Sequence, residues 1–263
     1  MCGIVGILSN NRNHIENIQE LLDTLLHRGP DGNETYKEYS PSIALGHSRL
    51  SIIDLTSNGT QPKASSTGRF IITFNGEIYN HTELREELER EGVCFDSGTD
   101  TETILACWEK WGPACLHRFN GMFAFVIYDQ RLKVIHAVRD RFGIKPLYFY
   151  RGTEGTSIFF ASEIKQFEKI PGWNPKLDSQ TAYDFLAWGM QDHGISTFFQ
   201  GVSQLAPGER LEIDVEKSFV DGKVLSTFSK WYRLETVERS EVSMDEAAST
   251  LLDLMHFLIG LQV

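Results

Sequence analysis

Cys2 is the first residue that could act as a nucleophile. An initiator methionine is commonly removed when the next residue is as small as cysteine, which would leave a thiol and a free α-amine on one residue. That amine titrates at about 7.7–8.0, near working pH, whereas a lysine at about 10.4 stays protonated. An N-terminal nucleophile therefore brings its own general base, as N-terminal threonine does. The alternative for Cys2 is a small apolar filler at the start of a first strand.

Three further positions could serve such a nucleophile. Asn75-Gly76 joins a side-chain amide donor to an unhindered backbone N–H, the parts of an oxyanion hole; Asn-Gly between apolar runs is equally a type I′ turn signal. Arg49, at a strand end, could clamp a carboxylate with two N–H groups or make a surface ion pair. Asp100, in Ser97-Gly98-Thr99-Asp100-Thr101-Glu102, could hold an ammonium or cap the next helix.

Positioning these groups falls to many short elements. Cys2–Leu8 reads as a buried first strand. Asn13 and Glu16 resemble a capping box that opens a helix with Ile15, Ile18, Leu21, Leu22, Leu25 and Leu26 on one face. That helix stops at His27-Arg28-Gly29-Pro30-Asp31-Gly32. Strands are expected at Ser42–Leu45, Phe70–Phe74, Phe123–Tyr128, Lys133–Val138, Leu147–Tyr150 and Ser157–Ala161, with helices at Thr82–Glu91 and Thr101–Trp111. Strands too closely spaced for parallel crossovers point to stacked, mostly antiparallel sheets flanked by helices, an α+β class. The compact core is expected to close near residue 172. Beyond it come a helix at Ser179–Trp188, a hairpin over Val202–Ile213 turning at Pro207-Gly208, and a tail helix. The tail opens with a Ser243/Glu246 capping box and carries Ala247, Leu251, Leu254, Met255 and Leu258 in one stripe.

The 263 residues suffice for one large or two small domains. With 25 Lys+Arg against 36 Asp+Glu the net charge is −11, and no basic run occurs, which disfavours nucleic acid and anionic membranes. The longest apolar run, Met122–Ile127, is too short for a bilayer, and the N-terminus has no signal-peptide pattern. Cys2, Cys94, Cys107 and Cys115 show no CxxC pair or metal spacing, so no metal site and a reduced, cytoplasmic setting are expected.

Taken together, several motifs occur in a fixed order: Met1-Cys2-Gly3-Ile4-Val5-Gly6, His27-Arg28-Gly29-Pro30-Asp31, Arg49-Leu50-Ser51-Ile52, Asn75-Gly76-Glu77-Ile78-Tyr79-Asn80, Gly98-Thr99-Asp100, Arg139–Tyr148 and Ala161-Ser162-Glu163. From residue 1 to about Trp231-Tyr232 the chain resembles the glutaminase domain of glutamine-hydrolysing asparagine synthetases, which are class II, N-terminal-nucleophile amidotransferases. The resemblance implies a four-layer αββα sandwich with a C-terminal helical and hairpin extension. It implies that mature Cys2 attacks the side-chain amide of glutamine, Asn75 and Gly76 hold the oxyanion, and Arg49 binds the α-carboxylate. Asp100 takes the α-ammonium with Glu77 beside it, and the main chain of Leu50 and Ile52 lines the pocket. Ammonia leaves before water cleaves the thioester. Arg139–Tyr148 lies near the ammonia route in the family, although two strands joined by a turn at Gly143 explain most of its residues.

A glutaminase domain over residues 1–213, then a linker and the first part of a synthetase domain over 214–263, is the expected division. The Ser-Gly-Gly-x-Asp-Ser pyrophosphate loop of that second domain does not occur in these residues. The resemblance therefore implies no cofactor for the glutaminase part, ATP and Mg²⁺ only in the synthetase part, and a synthetase domain or subunit as partner. It leaves room for a homodimer. The ammonia acceptor is expected to be aspartate; a sugar or another carboxylate is the alternative, as is a non-catalytic glutamine-binding or docking module.

Overall fold

Alternation along the strands decides the architecture. A computed structural model describes residues 1–40, 42–52, 54–152, 154–220, 223–235 and 242–260. In chain order come β1 (Gly3–Ser9), α1 (Arg12–Glu16), α2 (Ile18–Asp23), β2 (Gly32–Tyr39), β3 (Ser42–Arg49), β4 (Lys63–Ala64) and β5 (Phe70–Ile78). Then follow α3 (His81–Arg90), α4 (Asp100–Trp111), β6 (Gly121–Asp129), β7 (Val134–Arg139), β8 (Tyr148–Arg151), β9 (Ser157–Ala161) and α5 (Ser179–Trp188). The last are β10 (Val202–Gln204), β11 (Glu209–Asp214), α6 (Val215–Val220), β12 (Leu225–Lys230) and α7 (Met244–Gly260).

One sheet runs β10-β8-β9-β1-β3-β2 and the other β12-β11-β7-β6-β5-β4, with antiparallel pairing throughout the described residues. Ile4 and Leu8 of β1 meet Ala124, Val126 and Tyr128 of β6 in a core between the sheets. Their alternate neighbours Val5 and Ile7 pack under Ile15, Ile18, Leu21 and Leu22 of α1 and α2. Phe123, Phe125 and Ile127 pack under Leu84, Leu88, Ile104 and Trp108 of α3 and α4. Period-2 strands that are apolar on both faces need cover on both, and three apolar layers between four structural ones result. The αββα sandwich is thus the observed fold. Burying each large side chain here contributes about 1.5–3 kcal/mol.

Several local expectations change. The first helix is capped by Asn11, whose side chain accepts from the Asn13 N–H; it breaks at Asn17 into α1 and α2, and Leu26 is exposed. Thr99, not Asp100, caps α4 by accepting from the Glu102 N–H. Asn75-Gly76 is no turn: both residues lie within β5, opposite Ala124 and Phe123 of β6. β10 and β11 form no hairpin, because β10 pairs with β8 in the first sheet and β11 with β7 in the second, the chain crossing between sheets at Leu205–Gly208. The sheets also continue past residues 172 and 213, since β10, β11 and β12 all belong to them. Ser243 Oγ does accept from the Glu246 N–H at the start of α7, where Leu251, Leu254 and Met255 stand exposed; the side chain of Leu258 lies outside the described residues. No helix among the described residues is long and apolar enough to cross a membrane.

Candidate active site

A small cleft, partly open to solvent, lies at one end of the two sheets. Its lining includes Cys2 at the start of β1, Arg49, Leu50 and Ile52 at the end of β3, Gly76 and Glu77 on β5, and Asp100 at the start of α4. Seven of the eight residues singled out in the sequence therefore share one wall or another of this cleft. The eighth, Asn75, is 1% exposed and its Nδ2 has no hydrogen-bond partner among the described residues. Two positions earlier on β5, Thr73 Oγ1 donates to Gly46 O of β3 (2.8 Å), so this face of β5 looks toward the sheet that carries Cys2. A buried amide donor without a partner costs about 1–3 kcal/mol.

The Cys2 thiol rests on the backbone of one residue. Leu50 N–H approaches Sγ at 3.5 Å, and Sγ donates to Leu50 O at 3.6 Å. Arg28 Nε donates to Cys2 O (2.9 Å) while its Nη1 pairs with Glu163 Oε1 (2.8 Å), and Ser162 Oγ accepts the Ile4 N–H (2.9 Å). Asp31 N–H donates to Arg49 O (3.0 Å) and Asp31 Oδ2 accepts from Ser51 N–H (2.7 Å). The His-Arg-Gly-Pro-Asp and Ala-Ser-Glu motifs thus brace the N-terminal strand and the loop that follows Arg49.

Gly76 owes its role to strand geometry. Opposite it, Phe123 turns both backbone groups away to Asp140: its N–H donates to Asp140 Oδ2 (3.1 Å) and its O accepts the Asp140 N–H (2.8 Å). In an antiparallel ladder that makes Gly76 and Phe123 a non-hydrogen-bonded pair, so the Gly76 N–H faces the outer edge of β5. Along that edge Ile72 pairs with Lys63 of β4, Phe74 N–H donates to Gln61 Oε1 (2.7 Å) and Ile78 N–H donates to Asp100 Oδ2 (3.1 Å). Between them the Gly76 N–H has no partner among the described residues. A Cβ there would stand 2.3 Å from Met122 O and 2.7 Å from Phe123 Cα, so only glycine lets β6 approach.

The two charged ends differ in kind. Arg49 is held by the loop that follows it, Nη1 donating to Thr56 O (2.9 Å) and Nη2 to Asp54 O, and its guanidinium forms no ion pair within 4 Å among the described residues, although the Asp54 carboxylate lies in the same cleft. Asp100 is nine-tenths buried; burial pushes its carboxyl up to about 6, and the neighbouring Glu77 charge adds to the rise. Ile52 lines the cleft while 72% exposed.

Sequence reasoning missed His47 and Gln61. His47 Nε2 lies 3.1 Å from Phe74 O, which can only accept, so Nε2 carries the proton and Nδ1 is a bare, unpartnered acceptor in the cleft wall. Burial drives its imidazole down to about 3, keeping it neutral. The signal for His47 was its place two residues before Arg49 on one strand; Gln61 had none.

A sequence model of the family described as "Glutamine amidotransferase domain" matches residues 1–222. The chain is 32% identical over 216 residues to "Asparagine synthetase [glutamine-hydrolyzing] 3" of Bacillus subtilis (strain 168), covering 80% of this chain and 34% of that protein. It is 39% identical over 193 residues to "Putative asparagine synthetase [glutamine-hydrolyzing] 2" of Methanocaldococcus jannaschii, covering 67% of this chain and 36% of that protein. The chain thus spans about a third of the length of these relatives. The solved glutamine phosphoribosylpyrophosphate amidotransferase of B. subtilis superposes with a TM-score of 0.60 at 21% identity, over 86% of this chain and 49% of that one, a likeness of fold.

Proposed function

The chain belongs to the glutamine amidotransferase domain family, and on that premise we propose that it hydrolyses glutamine to glutamate and ammonia at Cys2. The observation that carries the reading is the pair of donors without a partner among the described residues, Asn75 Nδ2 buried beside the cleft and Gly76 N–H on its lining, next to a thiol, a guanidinium and a carboxylate.

With Met1 removed, the Cys2 α-amine takes the thiol proton and the thiolate attacks the δ-carbon of glutamine. The carbonyl oxygen becomes an oxyanion that accepts from Asn75 Nδ2 and Gly76 N–H. As the C–N bond breaks, the ammonium of Cys2 returns its proton to the leaving nitrogen, and ammonia departs from a thioester. Water then adds to that carbonyl, the C–S bond breaks, and glutamate leaves with the thiol restored. Arg49 binds the α-carboxylate and Asp100, with Glu77, the α-ammonium, fixing the amide over Sγ.

Among the described residues no three His, Cys, Asp or Glu side chains come together in a group that could hold a metal ion. Every step in the cleft draws on the chain's own thiol, amine and amides. The names of the relatives support aspartate as the acceptor of the ammonia; in the same reading, ATP and Mg²⁺ would serve a synthetase unit rather than the cleft, and the setting would be cytoplasmic.

The test is release of glutamate and ammonia from glutamine by the chain with its N-terminal mass verified. Equimolar products from the Met1-processed form, abolished by Cys2→Ala, support the reading. Tight glutamine binding with no product from the processed form overturns it in favour of a binding module.

A further inference from the structure

Lys145 is buried without a carboxylate partner. Its N–H donates to Asp140 Oδ2 (3.0 Å), the same oxygen that takes the Phe123 N–H (3.1 Å). Because Phe123 stands opposite Gly76 on the β5–β6 ladder, the Lys145 backbone lies one carboxylate away from the oxyanion end of the cleft. From there the side chain runs to the N-terminus, where Nζ stands 3.4 Å from Met1 Sδ. The residue is 6% exposed, and that thioether is its only hydrogen-bond partner on Nζ among the described residues. Lysine is almost never buried unless paired, and a thioether is a weak acceptor.

The charged groups that Lys145 senses are Arg28 before the Gly29-Pro30 turn, Glu77 on β5, Asp140 after β7, and Cys2 itself. Arg28 is already paired with Glu163. Both Asp140 oxygens are taken by backbone donors, Oδ1 by Phe142 and Ile144 and Oδ2 by Phe123 and Lys145. That leaves Glu77 and the Cys2 sulfur as the anions able to answer the ammonium. Removal of Met1 takes away the thioether and clears the space between Nζ and the new N-terminus.

We infer that Lys145 is a positioning residue for the proposed hydrolysis: its buried ammonium, seated against the residue that precedes Cys2, holds the sulfur of mature Cys2 as the thiolate. This rests on the glutaminase reading of the same cleft and adds a fixed cation to it. Burial and Arg28 push the Lys145 ammonium down from the usual lysine range while Glu77, Cys2 and Asp140 pull it back up. A cation near a thiol and an amine favours thiolate and neutral amine, so its loss must raise the pH at which both deprotonate.

The experiment is the pH dependence of iodoacetamide alkylation in the Met1-processed chain. Peptide mass spectrometry follows Cys2, with exposed Cys94 as the internal reference. Wild type, Lys145→Met, Lys145→Gln and Lys145→Arg are compared. The neutral variants are expected to move the Cys2 midpoint up by about one pH unit and leave Cys94 unmoved. Lys145→Arg should stay within a few tenths of a unit of wild type. The acidic limb of kcat/KM for glutamine should move in the same direction. A Cys2 midpoint that stays in place in whichever neutral variant folds overturns the inference, and so does an equal displacement in Lys145→Arg. Alkylation uses no glutamine, so absence of ammonia release from wild type overturns the glutaminase reading and leaves this result readable.

Discussion

Asn75→Ala separates catalysis from stability in this protein. Its Nδ2 is buried and has no partner among the described residues, so the folded chain carries an unmet donor that costs about 1–3 kcal/mol. Truncation to alanine removes that penalty but forfeits the packing of a small polar group in a dry position, and the two effects nearly offset. The expected change in folding stability is within about 1 kcal/mol of zero, with either sign. The oxyanion loses one of its two donors. Removal of one such donor costs about two to three decades in rate, or about 2.7–4 kcal/mol in the transition state. The assay is glutamate release under kcat/KM conditions beside a denaturant titration of the same preparation. A variant that loses less than about tenfold in turnover would refute the oxyanion assignment. A variant that unfolds in proportion to its lost activity would show that the amide is structural, with a partner that the folded chain supplies.

Two other perturbations probe the flanks of the site. Asp100 titrates at about 6 in the folded chain, above its ordinary value of 3.8, so the fold favours the protonated form: its contribution is complete below about pH 3.8 and is lost as pH rises through about 6. Ammonium binding needs the carboxylate, so KM for glutamine should climb as pH falls below about 6; Asp100→Asn should raise KM by about 10–100-fold and flatten that limb, and an unchanged limb would assign it to another group. Asp140→Ala strips the acceptor from the N–H groups of Phe123, Phe142, Ile144 and Lys145, and should lower stability by about 3 kcal/mol or more in urea, with Asp140→Asn losing less; a change under about 1 kcal/mol would contradict that account.

How far the sequence was legible depended on how local the deciding interaction is. The helix faces of α3 and α4 and the apolar runs of β6, β7 and β9 were readable because their period matches what they bury. Asn75-Gly76 was not readable locally: the dipeptide favours a turn, but pairing with Phe123 and Ala124 keeps it extended. β2, Gly-Asn-Glu-Thr-Tyr-Lys-Glu-Tyr, is an edge strand with no fully buried residue, so it lacks an apolar run to announce it. β10 and β11 are adjacent in sequence around Pro207-Gly208, yet no local pattern says that they join different sheets. At the site, residue types pointed to Cys2, Arg49, Asn75, Gly76 and Asp100, whereas Gln61 and His47 serve it through the Phe74 backbone, a three-dimensional relation.

An unpaired strand edge usually invites another strand, and most proteins blunt theirs with charge, bulges or cover. The edge of β5 beyond β4 is blunted one amide at a time, by Gln61 at Phe74 and by Asp100 at Ile78. What remains open among the described residues is one residue wide, the N–H and carbonyl of Gly76. An incoming peptide would need at least two alternate positions to register and finds its neighbours taken, while a lone oxygen needs only one. The same row of hydrogen bonds that closes the sheet to aggregation therefore sets the size of what the cleft will admit.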